Sequence, residues 1–223
     1  MNSLAAFEPR LTLLPEPQQR LLRELAGAPR AFVLYGGTAI TLRLGHRASL
    51  DFDLFSNDHF EPDALERAMP WLRGAIRSRS EPDTLVSVVD RGGPVTVSFF
   101  GGLPLSRVGE PEAAGTGGPL VASLLDLAAT KVKVVQDRAE AKDYADVARL
   151  LAEGIALGQA LAAALAVYGS TFNPLVSLKA LAYFGDGDLP SLAKETRDAL
   201  GRAVRDTPVE GIQPLTARGG LAP

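Results

Sequence analysis

Cysteine is absent from this chain of 223 residues, and histidine occurs only twice, at His46 and His59. The absence of cysteine excludes disulfide scaffolds, thiolate zinc sites, iron–sulfur clusters and cysteine nucleophiles. Two histidines are too few for a histidine-rich metal site, and they exclude most histidine-based acid–base chemistry. Any chemistry must therefore depend on carboxylates, lysine, arginine, hydroxyls and backbone groups.

The chain also lacks an unbroken apolar run of about 18 residues, the length that a membrane-spanning helix requires. Its first ten residues, MNSLAAFEPR, include a glutamate and a proline where a secretory signal peptide would be apolar. We therefore expect a cytoplasmic protein with no membrane partner. The net charge of −3 argues against a strongly basic nucleic-acid coat protein, although it allows a local basic patch.

The composition is 46% hydrophobic and 22% charged, which supplies enough apolar side chains for a core. Short β-type runs and helical stretches alternate up to a Gly- and Pro-rich segment at 101–118, and the rest of the chain is mainly helical in pattern. We therefore predict an α+β protein, with an α/β core over residues 1–118 and a helical C-terminal region over residues 119–223 packed on that core.

The same patterns predict individual elements. In the first half, helices are expected over 15–25, 38–44 and 62–77, the last interrupted at Pro70. Strands are expected over 31–35, 49–55, 85–89 and 95–100, with a hairpin turn at 91–94 between the last two. The Gly- and Pro-rich tail at 211–223 is expected to be frayed.

The stretch that can carry chemistry joins a Gly-Gly-Thr turn to an Asp-x-Asp strand, and its residues are Gly36, Gly37, Thr38, Asp51 and Asp53. A glycine turn that opens a helix lets the backbone approach a phosphate, which the unpaired N–H groups and the helix dipole then favour. Two carboxylates at i and i+2 share one face of a strand, so they need a cation between them or a raised pKa. Mg²⁺ prefers carboxylate oxygens together with substrate phosphates.

This combination predicts transfer of a nucleotidyl group from a nucleoside triphosphate, assisted by a metal at Asp51 and Asp53. Each of the two features alone also has a plainer interpretation. The Asp-x-Asp residues can be the solvent face of an edge strand, and a Gly-Gly turn is common. The order and spacing of the two features favour the nucleotidyl-transfer site.

The stretch LYGGTAITLRLGHRASLDFDLFS resembles the first motif of the DNA polymerase β-type nucleotidyltransferase superfamily, and more closely that of the AbiEii/AbiGii toxin family. The later stretch SLLDLAATKVKVVQDRAEAKDYADVARLL is similar to that family's lysine followed by an Asp-x-x-Asp helix. The segment LKALAYFGD also resembles a late family segment. The resemblance covers the chain from about residue 32 to residue 186.

The resemblance implies a nucleotidyltransferase-like mixed sheet flanked by helices, and an NTP-dependent activity assisted by Mg²⁺ or Mn²⁺. It implies a toxin countered by an antitoxin protein, and an acceptor that is an RNA such as tRNA, a protein or another molecule. It also gives Lys131 and Lys142 a role in nucleotide binding, and gives Asp143 and Asp146 a catalytic role. Without the resemblance, a plainer interpretation is favoured: Lys131 is a solvated or snorkelling lysine, and Asp143 and Asp146 complement the helix N-terminus, with Asp146 paired to Lys142.

One position departs from the superfamily pattern, which usually has a third carboxylate on a later strand. The strand predicted at 95–100 carries Ser98 there, and a serine binds metal weakly and is not a general base without help. Two aspartates can suffice, catalysis can be impaired so that a nucleotide- or antitoxin-binding module remains, or another carboxylate can complete the site. The candidates for that carboxylate are Asp90, Asp126, Asp143 and Asp146.

Further basic residues are weaker candidates. His46 and Arg47 precede the Asp-x-Asp strand and are expected to contact phosphate or acceptor, or to be loop surface. Arg73, Arg77 and Arg79 form a small cluster that could bind an RNA backbone, although a solvated helix face is the commoner meaning of such a pattern.

Overall fold

A computed structural model of the protein describes residues 5–223. These residues form two compact units that interleave along the chain. Unit 1 comprises residues 5–105, 110–123 and 219–223, and unit 2 comprises residues 106–109 and 124–218.

Unit 1 is built on an eight-stranded mixed sheet with the strand order β1-β7-β8-β2-β3-β6-β5-β4. The strands are β1 (Ala6–Phe7), β2 (Val33–Tyr35), β3 (Phe52–Phe55), β4 (Ile76–Glu81), β5 (Thr84–Asp90), β6 (Pro94–Phe100), β7 (Glu112–Ala114) and β8 (Leu120–Val121). β3 is antiparallel to β2 and parallel to β6, which fixes the centre of the sheet. The predicted α+β class and its mixed sheet are therefore confirmed.

The helices divide between the two units. Unit 1 contains α1 (Glu16–Glu24), α2 (Gly36–Leu44) and α3 (Pro62–Ala68). Unit 2 contains α4 (Leu124–Asp137), α5 (Ala141–Ala152), α6 (Leu157–Tyr168), α7 (Pro174–Leu181) and α8 (Lys194–Arg205). Short 3-10 turns lie at Leu25–Gly27, Pro70–Leu72, Gly169–Thr171 and Leu189–Ser191. The helical character predicted for the second half of the chain is confirmed.

The alternation that predicts β3 also sets the two faces of the sheet. Phe52 and Leu54 are fully buried, whereas Asp53 and Phe55, which point the other way, are only half-buried. On the buried face, Phe99 of β6 packs edge-on against Phe32 with ring centroids 5.2 Å apart. The apolar side chains thus fill one face, and the Asp-x-Asp carboxylate at position 53 is left on the more open one.

The helix predicted over 62–77 is wrong in its second half. α3 ends at Ala68, and Pro70 begins a separate 3-10 turn because proline cannot continue the hydrogen-bond ladder of a helix. Gly74 then has a φ of +79°, and the chain continues as the edge strand β4. Arg77 and Arg79 therefore lie on a strand, and they pair with acidic neighbours rather than forming a free basic helix face.

The frayed tail predicted at 211–223 is also wrong at its end. Leu221 is buried, and its N–H donates to Asn57 Oδ1 over 2.6 Å. The amide nitrogen of Asn57 donates in turn to the carbonyls of Leu103 and Leu105. One asparagine side chain therefore fastens the last residues to unit 1, which composition alone does not indicate.

In unit 2, the buried carboxylate of Asp126 accepts the backbone N–H groups of Val108, at 2.8 Å, and Gly109, at 3.0 Å. This aspartate thus fixes the 106–109 segment to the first turn of α4.

Among residues 5–223, no single helix is long and apolar enough to span a membrane. The segments Ala141–Ala152 and Leu157–Thr171 reach that size only as a pair, bent by 114° at their break.

Arg43, in the last turn of α2, joins that helix to the β7–β8 side of the sheet. Its guanidinium donates to the carbonyls of Ala122 and Val121 and pairs with Glu112 over 2.7 Å. It also lies 4.3 Å from the ring centroid of Phe7. The side chain is only 8% exposed, so these contacts replace nearly all of its hydration.

We expect Arg43→Met to lower the free energy of unfolding by about 2–3 kcal/mol, because two carbonyls and a half-shielded carboxylate lose their donor. Urea denaturation measures this change. Arg23→Met, on the exposed face of α1, is the matched control and should change stability by less than about 0.5 kcal/mol. Equal effects of the two substitutions would contradict the role given to Arg43.

Candidate active site

The junction of β2 and α2 brings the first glycine beside the second aspartate. α2 begins at Gly36, immediately after the strand, and Gly36 has a φ of +74°. A Cβ atom on Gly36 would lie 2.5 Å from Asp53 Oδ2. The β2–β3 ladder explains this proximity, because Asp53 is paired in register with Tyr35. The backbone and the carboxylate can be this close only because residue 36 has no side chain.

The loop that leads to the Asp-x-Asp strand folds back onto the start of α2. Thr38 is buried, and its hydroxyl bonds to Ser49 Oγ, at 2.8 Å, and to the Asp51 carbonyl. Thr41 donates to the Arg47 carbonyl over 2.9 Å. The hydroxyl of Thr38 therefore anchors the loop that carries Asp51, a role that the sequence did not indicate.

A guanidinium covers the second glycine of the turn. Arg47 Nη2 lies 2.6 Å from where a Cβ of Gly37 would be, and Ser49 Oγ lies 3.0 Å from it. Arg47 and His46 are both half-buried, and Asp51 is exposed just before β3 begins. Unit 1 thus brings together Gly36, Gly37, Thr38, Arg47, Asp51 and Asp53, with Ser49 as a member that the sequence analysis did not single out.

We expect Gly36→Ala to displace the Asp53 carboxylate and to cost about 1–3 kcal/mol of stability, because alanine is strained at this positive φ. Binding of Mg²⁺ and an NTP should weaken as well, and titration calorimetry measures that loss. Gly27→Ala is the matched control, since nothing lies within 4 Å of a Cβ there. Unchanged nucleotide and metal binding in Gly36→Ala would show that the close approach to Asp53 has no functional consequence.

Ser98 lies directly beside Asp53 in the parallel β3–β6 ladder and is buried. On its other side, β5 places Val86 opposite Ser98. Asp90 lies at the far end of β5, where its carboxylate accepts the N–H groups of Gly92 and Gly93 in the hairpin turn. It therefore stabilises that turn, two strands or about 10 Å sideways from β3, and does not extend the Asp-x-Asp pair.

The donor set in unit 1 fits a hard divalent cation. Asp51 and Asp53 would supply carboxylate oxygens, and the missing side chain of Gly36 lets the Asp53 carboxylate lie directly against the start of α2, where a phosphate would bind. A triphosphate next to two carboxylates needs such a cation to offset their repulsion. Within residues 5–223, no group of three or more Asp, Glu, His or Cys side chains could hold a metal, so substrate oxygens and water would complete the coordination.

In unit 2, Lys131 lies between two fully buried aspartates. Its Nζ is 2.6 Å from Asp143 Oδ1 and 2.8 Å from Asp146 Oδ2, and its own side chain is 6% exposed. α4 supplies the lysine, and the first turns of α5 supply the aspartates at i and i+3. The helical spacing predicts that the two aspartates share a face, but it does not predict that this face is buried against a lysine.

Arg138 is a member of this cluster that the sequence analysis did not assign. Its Nε donates to Asp143 Oδ2 over 2.7 Å, while its side chain stays 46% exposed. Burial opposes ionisation of Asp143, but the hydrogen bond from Arg138 and the charge of Lys131 outweigh it, so the pKa of Asp143 lies below its ordinary value. Lys142 is exposed and pairs with Glu140, outside the Lys131 contacts.

The remaining acids and bases have other partners. His59 Nδ1 lies 2.7 Å from Asp83 Oδ2 in an exposed pair, and the hydrogen bond and charge of Asp83 raise the pKa of His59. Arg77 pairs with Asp63 and Glu66. These pairs leave the exposed arginines of β4 largely neutralised, which weakens the case for RNA binding at that strand.

A model of the nucleotidyl transferase AbiEii toxin family, of type IV toxin–antitoxin systems, matches residues 20–213. An uncharacterised protein of Aquifex aeolicus (strain VF5) is 30% identical over 139 residues, which cover 60% of this chain and only 65% of that protein.

Two solved structures share the fold. MenT4, a nucleotidyltransferase toxin of Mycobacterium tuberculosis H37Rv, superposes with a TM-score of 0.60 at 18% identity, covering 86% of this chain and 82% of that one. A candidate nucleotidyltransferase of H. pylori gives a TM-score of 0.51 at 19% identity, covering 85% and 91%. The family match extends over both units and includes the Gly-Gly-Thr turn, the Asp-x-Asp strand and the Lys131 cluster. The chain therefore belongs to the AbiEii nucleotidyltransferase toxin family.

Proposed function

We propose that the protein transfers a nucleotidyl group from a nucleoside triphosphate to an acceptor hydroxyl with the help of Mg²⁺ or Mn²⁺. The observation that carries this proposal is the close approach of Gly36 to Asp53, with a Cβ position 2.5 Å from the carboxylate oxygen. A helix N-terminus without a side chain, beside a carboxylate on a neighbouring strand, suits a phosphate and a cation at one place.

The roles in unit 1 follow from the residues that meet there. Asp51 and Asp53 would hold the metal, which neutralises triphosphate charge and polarises the reacting phosphorus when bound. The N–H groups of Gly36 and Gly37, at the start of α2, would donate to phosphate oxygens. Arg47, over Gly37, would add a guanidinium to the same phosphates.

In the reaction, the acceptor oxygen forms a bond to the α-phosphorus, and the bond from that phosphorus to the bridging oxygen of the β-phosphate breaks. Pyrophosphate leaves with the electron pair of the broken bond. The proton of the acceptor hydroxyl passes to a carboxylate, so the atoms and charges balance without a further reactant.

The catalytic roles in unit 2 are proposals of the same kind. Asp143 accepts hydrogen bonds from both Lys131 and Arg138, and its lowered pKa makes it a poor proton acceptor. Asp146, which contacts Lys131 through Oδ2, is the other carboxylate proposed for base chemistry in this unit. Lys131 would hold these carboxylates ionised, and its predicted role in nucleotide binding, like that of the exposed Lys142, stays a prediction.

We further propose that the acceptor is an RNA such as tRNA, with a protein hydroxyl as the other class to be tested. Membership of a type IV toxin family supports an antitoxin protein as the partner of this chain. The proposed compartment is the cytoplasm, where nucleoside triphosphates and tRNA are available.

The test is incubation of the protein with each of the four α-labelled NTPs, bulk tRNA or cell protein, and either Mg²⁺ or EDTA. We expect label on one acceptor class with Mg²⁺ and none with EDTA. Absence of labelled product with all NTPs and acceptors would contradict the proposal, and labelling that survives EDTA would contradict its metal dependence.

A second candidate function is a catalytically impaired module that binds nucleotide or antitoxin. It is favoured by Ser98, which occupies the position beside Asp53 where the superfamily usually has an acid. Titration calorimetry combined with the labelling assay distinguishes the two candidates: the impaired module would bind an NTP with Mg²⁺ in the calorimeter but give no labelled product with any acceptor.

A further inference from the structure

The loop Gly185–Asp188, with the sequence GDGD, lies after α7 and contacts the start of α5 at long range. The Oδ1 atom of Asp188 accepts the N–H of Ala141, the first residue of α5, over 2.6 Å. Glu140 occupies the N-cap position, but within the described chain its side chain makes no capping hydrogen bond. Its carboxylate pairs with Lys142 instead. The cap of α5 is therefore supplied from 47 residues further along the chain.

The approach of this loop to α5 requires glycine at position 187. Gly187 has a φ of +53°, and a Cβ on it would lie 2.2 Å from the carbonyl oxygen of Ala139. No side chain fits there without moving backbone. The loop is itself held in place, since Leu189 is buried and its N–H donates to the Asp186 carbonyl over 3.1 Å.

The capped turn is the one that carries Asp143. Asp143 is two residues after Ala141, and both of its oxygens are bonded, one to Lys131 and one to Arg138. The first turn of a helix frays when its N–H groups lose their acceptors. A frayed turn would move the Asp143 carboxylate away from both cations.

We propose that Gly187 and Asp188 are positioning residues for the Lys131–Asp143–Asp146 cluster, because they fix the first turn of α5. The effect on catalysis rests on the proposed function of that cluster, whereas the effect on the Asp143 carboxylate does not. Neither residue touches Lys131 or the reacting groups; both act through the backbone at 139–141.

The test compares Asp188→Ala with Asp188→Asn, whose amide oxygen can still accept the Ala141 N–H. The matched control is Asn173→Ala, which removes the side-chain cap of α7 in the same unit, where Asn173 Oδ1 accepts the Leu175 N–H over 3.0 Å. The readouts are the pKa of Asp143, from the carboxyl carbon shift in an NMR titration, and kcat/KM for nucleotidyl transfer.

We expect Asp188→Ala to raise the pKa of Asp143 and to lower kcat/KM by about 10-fold or more. Asp188→Asn should restore both, and Asn173→Ala should lower Tm to a similar extent while leaving both unchanged. An unchanged pKa of Asp143 in Asp188→Ala would overturn the proposal. If wild type transfers no nucleotide, the proposed function fails, and the titration of Asp143 still decides the positioning role.

Discussion

Nucleotidyl transfer by an Asp53→Asn variant is expected to fall by about 10²–10³-fold, because an amide cannot offset the charge of a divalent cation beside the triphosphate. The variant should still fold, with a free energy of unfolding within about 1 kcal/mol of wild type. Product formation with α-labelled NTP measures the first effect, and urea denaturation measures the second.

Asp63→Asn is the matched control for Asp53→Asn. It makes the same chemical change in unit 1, at an exposed carboxylate that pairs with Arg77 on β4. Transfer by this control should equal that of wild type. If Asp53→Asn keeps full activity, the metal does not depend on this carboxylate, and the roles given to unit 1 are wrong.

Replacement of Lys131 by methionine is expected to have the largest effect on stability, about 3–5 kcal/mol at pH 7. The substitution keeps an unbranched side chain, one atom shorter, but removes the charge between Asp143 and Asp146, both fully buried. Lys133→Met is the matched control on the same helix. Lys133 pairs with the exposed Asp137, so its loss should cost less than about 0.5 kcal/mol.

The pH dependence of the stability difference between wild type and Lys131→Met distinguishes an electrostatic effect of Lys131 from a packing effect. In wild type the pKa of Asp143 is lowered, so the stability that it contributes is present above its unfolded pKa and is lost as the pH falls below that value. In Lys131→Met, burial favours the protonated acid, and the deficit relative to wild type should shrink between pH 7 and pH 4. A deficit that is constant with pH would mean that Lys131 stabilises the unit by packing alone.

The part of the fold that the sequence predicts is the part with strong periodicity. The alternation over 49–55 predicts β3 and the face on which Asp53 lies, but the strand covers only Phe52–Phe55, so the placement of Asp51 on the same strand face was wrong. The hairpin at 91–94 is confirmed. β4 was missed because its exposed Arg and Ser residues show no apolar alternation. Leu221 was missed because its backbone N–H donates to Asn57, which is distant in the sequence.

The candidate site divides in a similar way. The Gly-Gly-Thr and Asp-x-Asp residues can be picked out from the sequence, because phosphate binding favours glycines at a helix start and metal binding favours paired carboxylates. The ion pairs of Lys131 cannot be predicted from the sequence, because helical spacing shows which residues share a helix face but not whether that face is buried. The cap that Asp188 supplies to α5 is also tertiary, since nothing near Ala141 in the sequence indicates it.

The measurement that tests the central claim most directly is a pair of reactions with α-labelled and γ-labelled NTP, run with Mg²⁺ and the acceptor class found to be active. Nucleotidyl transfer predicts that the α-label stays on the acceptor and that the γ-label leaves in pyrophosphate. A γ-label on the acceptor would mean phosphoryl transfer and would contradict the account.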